Sequence, residues 1–63
     1  MGTEYYVEVF TFEEQEIDFE LTDNFEDACI AFDVLVTRNP TLSVRFVNLT
    51  TGYLIDQHNW VER

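Results

Sequence analysis

Residues 16–38, EIDFELTDNFEDACIAFDVLVTR, change their periodicity part-way through, and that change decides the fold. From Glu16 to Leu21 acid and apolar residues alternate strictly, so Glu16, Asp18 and Glu20 share one face of a strand and Ile17, Phe19 and Leu21 the other. After Thr22-Asp23-Asn24 the repeat lengthens to about 3.6, with Phe25, Ala28, Cys29, Phe32, Leu35 and Val36 forming one stripe of a helix. Ile30, Ala31 and Val34 broaden that stripe beyond what a surface helix needs. Asp23 suits the N-cap with Glu26 three residues on, and Asp27 adds negative charge at the positive end of the helix dipole. Asn39-Pro40 ends the helix, because the residue before proline is pushed out of the α region.

Upstream, Glu4 to Phe12 reads as a first strand rich in Tyr, Val and Phe, and Glu13-Glu14-Gln15 is too short for anything but a hairpin turn. Downstream, Leu42 to Leu49 and Tyr53 to Asp56 read as two more strands joined through Thr50-Thr51-Gly52, with Gly52 in a left-handed position. The expected class is α+β, a ββαββ chain whose small four-stranded, antiparallel-dominated sheet has the order 2-1-3-4 and one helix packed on one face. Gln57 to Arg63, with His58 and Trp60, is read as a frayed end or a short cover over the core. Residues 1–63 make a single compact acidic domain, with about 60% of the unfolded surface buried at this length.

Charge is the strongest compositional signal. Thirteen Asp and Glu face three Arg and no Lys, a net charge of -10 at pH 7. Ten of the acids lie between Glu4 and Asp27, and the first base is Arg38. Hydrophobic content of 46% and aromatic content of 16% set the chain apart from solvated acidic tails. Direct binding of nucleic acid is disfavoured, because its main favourable contribution is counterion release by Lys and Arg. No apolar run reaches the roughly 20 residues that span a bilayer, so no membrane partner is expected. The lone Cys29, the absence of zinc-ligand spacing and the absence of a signal-like leader favour a reducing, cytoplasmic setting.

The residues do not assemble a catalytic motif. Glu16, Asp18 and Glu20 recur at roughly 6.6 to 6.8 Å along a strand, on a hydrated face rather than across a pocket. Cys29 lies in the apolar stripe, where a thiol is inert, and His58 is expected to be a surface or terminal-capping side chain. There is no calcium loop, phosphate cradle, CxxC or HExxH, and Asn48-Leu49-Thr50 serves turn chemistry. No enzymatic activity, cofactor or metal is expected.

A binding face is better supported. If Tyr5, Val7 and Val9 join Ile17, Phe19 and Leu21 beneath the helix, then Tyr6, Glu8, Phe10 and Phe12 face outward with Glu16, Asp18 and Glu20, and Glu13 and Glu14 cap the hairpin tip. Arg45 and Val47 fall on the same outer face, opposite Val44 and Phe46, with Arg45 beside Glu8. Tyr6, Glu8, Phe10, Glu13, Glu14, Glu16, Asp18 and Glu20 are the expected partner-binding residues. The expected function is an acidic protein-binding module, an inhibitor or DNA mimic of viral type, held on the basic surface of a nucleic-acid-binding protein. The alternative is a homodimer joined through the outer aromatic sheet face, with acids that only solubilise it.

Overall fold

The computed structural model describes residues 4–59. Its elements run β1 (Tyr5–Phe10), β2 (Glu16–Thr22), α1 (Phe25–Arg38), β3 (Ser43–Asn48) and β4 (Leu54–His58). The four strands form one sheet in the order β2-β1-β3-β4, with every neighbouring pair antiparallel. This is the small ββαββ fold expected from the sequence. Trp60 and the residues that follow it lie outside the described residues, whereas Gln57 and His58 belong to β4.

The core sits between α1 and the two central strands. Val7 and Val9 of β1 and Val44 and Phe46 of β3 are buried against Ala28 and Leu35, with Tyr5, Ala31, Phe32, Val36 and Leu42 packed around them. Burying a valine or phenylalanine side chain is worth roughly 1.5 to 3 kcal/mol, so these central residues carry most of the hydrophobic stabilisation. Phe46 anchors an aromatic cluster, with Tyr5, Phe25 and Phe32 ring centroids 6.1, 5.9 and 5.9 Å away. Cys29, expected in the core, is exposed. It lies about 100° around the helix from Ala28, and the buried stripe centres on Ala28, Ala31 and Leu35 instead.

The ends of the elements follow from short polar side chains. Asn24, rather than Asp23, caps α1: its Oδ1 accepts from the Glu26 and Asp27 amides at 2.8 and 3.2 Å. At the other end the Asn39 amide and side-chain Nδ2 both donate to Leu35 O, each at 3.0 Å, and Pro40 follows. In the β3–β4 connection Asn48 Oδ1 takes the Thr50 and Thr51 amides, while Gly52 adopts φ +77. His58 Nε2 donates to Pro40 O at 2.8 Å, tying β4 to the loop after α1.

Both edge strands carry an aspartate that turns onto the backbone. The Phe19 amide donates to Asp18 Oδ1 at 2.9 Å in β2, and the Gln57 amide donates to Asp56 Oδ1 at 2.8 Å in β4.

Candidate protein-binding surface

The β1–β2 hairpin decides where the acids go. Phe10 pairs with Glu16, but the next pair is Val9 with Asp18, which leaves Ile17 as an extra residue in β2. Such a bulge moves every later side chain of the strand to the opposite face. Beyond it Glu20 pairs with Val7, Phe19 with Glu8 and Leu21 with Tyr6. Val7 and Val9 are buried beneath the helix, so Asp18 and Glu20 lie on the helix side of the sheet.

This corrects the expected arrangement. Glu16 stays on the outer face, where Tyr6 Oη donates to it. Asp18 and Glu20 leave that face, and Phe19 and Leu21 take their place instead of packing under the helix. The energetic reason is visible in the layering. Helix α1 approaches β2, β1 and β3, yet β2 stays exposed from Glu16 to Leu21, so carboxylates on its helix side remain hydrated.

The outer face is consequently more apolar than the sequence implied. Tyr6 and Phe19 meet with ring centroids 5.8 Å apart and planes tilted by 57°, Leu21 lies beside Tyr6, and Val47 and Leu54 continue the surface across β3 and β4. Phe19 and Leu21 are about half exposed, and Phe12, in the hairpin loop, is well exposed. Phe10 remains on the face, with the Arg45 guanidinium carbon 5.5 Å from its ring centroid.

Glu8 occupies the middle of this face and is only 6% exposed. Arg45 Nε donates to its Oε1 at 2.9 Å, and a second guanidinium nitrogen reaches the same oxygen. The expected pairing of Glu8 with Arg45 is therefore present, and it neutralises the charge at the centre of the sheet. Burial nevertheless raises the Glu8 pKa above the ordinary glutamate value, outweighing the lowering by Arg45, with Glu16 adding to the rise. Burial also pushes the Tyr6 phenol up to about 12, helped by its hydrogen bond to Glu16.

On the helix side, β2 and α1 border an open groove of about 520 Å³. Asp18 and Glu20 line it from β2, and Asp27, Ile30, Val34 and Arg38 line it from α1. Ile30 and Val34 are 62% and 39% exposed. Neither was assigned to a site from the sequence, although the excess width of the apolar helix stripe was the signal. Glu13 and Glu14 project from the tip of the hairpin, with Glu14 at φ 63.

Among the described residues, no group of three His, Cys, Asp or Glu is placed to hold a metal ion, and no helix is long and apolar enough to cross a membrane. Comparison with protein-family models, with curated proteins and with solved structures finds no match to this chain.

Proposed function

We propose that this chain is a non-enzymatic acidic module that binds the basic surface of another protein, of the kind nucleic-acid-binding proteins present to a phosphate backbone. The observation that carries the reading is the acidic margin along β2. Glu13 and Glu14 precede the strand, Asp18 and Glu20 stand on its helix side, and Asp23, Glu26 and Asp27 follow it, all of them exposed. Seven strand residues span roughly 23 Å, so the margin presents carboxylates at both ends and along its length. Among the described residues that line the groove beside it, only Arg38 offers the opposite charge. A surface of this sign attracts basic partners at long range and competes with nucleic acid for them. The expected compartment is cytoplasmic and the expected mode is inhibition by occupation, a DNA mimic of viral type.

The test is affinity capture from the native organism's lysate at about 50 and 500 mM salt, with nuclease-treated controls and the bound proteins identified. Capture of a nucleic-acid-binding protein that weakens at high salt and is competed by its nucleic acid supports the reading. A folded D18K/E20K variant should lose at least about tenfold in affinity for that protein, since charge pairs at such an interface couple by 1.5 kcal/mol or more in measured cases, roughly a tenfold change. Undiminished binding would remove these two acids from the interface.

The outer face favours a second reading, self-association. Tyr6, Phe19, Leu21, Val47 and Leu54 surround a neutralised Glu8–Arg45 pair, the pattern of an apolar centre without net charge that homodimer interfaces share. A sedimentation experiment decides it. A dimeric mass reduced to a monomer by Phe19→Asp supports the face as the contact, and a monomeric wild-type protein at high salt excludes it.

A further inference from the structure

We infer that the groove between β2 and α1 receives a basic amphipathic helix of the partner, an inference that rests on the acidic-module reading above. A helix with its side chains is about 10 Å across, whereas four strands spaced by roughly 4.8 Å make a wider sheet. One helix therefore cannot roof the whole face: α1 reaches β2, β1 and β3, and along β2 it leaves a groove open to one side. The groove offers an apolar flank, Ile30 and Val34, opposite two carboxylates, Asp18 and Glu20, with Asp27 beside them and Arg38 at the far end.

Those side chains specify the occupant. Its apolar residues, at i, i+3, i+4 and i+7, cover Ile30 and Val34, and its Lys or Arg residues on the neighbouring flank meet Asp18, Glu20 and Asp27, the helix-in-groove mode of recognition. A second copy of α1 fits poorly, because it would bring Glu26, Asp27 and Asp33 against the same carboxylates. An added strand along β2 fits poorly too, because Asp18 Oδ1 already takes the Phe19 amide. The partner's cations belong towards the Asp27 end, away from Arg38.

The probe is a synthetic helical peptide of leucine and lysine with that apolar spacing, set against a peptide of the same composition and scrambled order. Both are titrated into the isotopically labelled protein at about 50 mM salt and followed by amide chemical shifts. The amphipathic peptide should bind about tenfold tighter than the scrambled one, the factor that corresponds to one well-buried apolar contact. Its shifts should concentrate in 18–22 and 27–38. Ile30→Glu, a change at an exposed position, separates the groove from charge alone. It adds a negative charge, so pure electrostatic attraction predicts tighter binding, whereas a covered Ile30 predicts binding about tenfold weaker.

Equal binding of the two peptides, or tighter binding by a folded Ile30→Glu variant, overturns the groove and leaves the acidic module to its own capture experiment. Failure of both peptides to bind overturns the groove and counts against the acidic-module reading as well.

Discussion

Glu8 is the residue on which the outer face turns, because it is a buried acid in a molecule that already carries excess negative charge. Its pKa is raised in the fold. The native state therefore holds the Glu8 proton more tightly than the unfolded chain does. The stability linked to this group is fully present below the ordinary glutamate pKa and is lost as pH rises through the raised value. Unfolding by urea should accordingly need more denaturant near pH 5 than near pH 7, and Glu8→Gln should flatten that dependence. An unchanged slope in Glu8→Gln would assign the effect to the other carboxylates. Glu8→Ala is a different perturbation, since it removes the acceptor for Arg45 and leaves a gap among Phe10, Phe19 and Tyr6. It should cost about 1 to 3 kcal/mol at neutral pH, the usual range for stranding a polar partner. The sequence made the pairing legible, because Glu8 and Arg45 fall on the same face once β1 and β3 are neighbours. It did not reveal that the bulge brings Phe19 opposite Glu8, nor that Glu8 is buried.

The elements themselves were largely legible. Strict alternation, the shift to a helical repeat and the turn at Gly52 are local signals, whereas strand order is not: a helix between β2 and β3 excludes a hairpin there but lets β3 lie beside either β2 or β1, and the structure pairs it with β1. What alternation does not encode is which of the two faces meets the helix. Glu16 obeys the unbulged register, and Asp18 and Glu20 do not, because Ile17 is spent outside the pairing. One residue thus reverses the destination of five. The helix cap carries a similar lesson at smaller scale: Asp23 and Asn24 both have the right chemistry, and it is Asn24, in extended backbone, whose side chain takes the Glu26 and Asp27 amides. Asn24→Ala should lower stability by about 1 kcal/mol, read from the urea midpoint, because two amides lose their acceptor. Asp23→Ala should change it by less than half of that. Equal losses would mean that charge at the start of α1, rather than the cap, dominates there.

At the scale of the whole molecule, the chain segregates its surface. The outer sheet face is apolar and neutral at its centre, while the margin of β2 and the start of α1 carry the negative charge. The two proposed interfaces therefore respond to salt in opposite directions: contact with a basic partner weakens as salt rises, and association of two acidic copies strengthens as their repulsion is screened. The segregation was only partly visible in the sequence. The charge asymmetry between the two halves of the chain is compositional, but the apolar face depends on the register of one strand. A sheet of only four strands also has two unprotected margins, and an acidic protein with half-exposed phenylalanine and leucine is a candidate for end-to-end fibre growth. The aspartates at Asp18 and Asp56 oppose that fate. Each occupies a backbone donor on an outermost strand, so a neighbouring chain meets a carboxylate where it would need a free amide, and crowding should leave the protein dispersed instead of threading it into filaments.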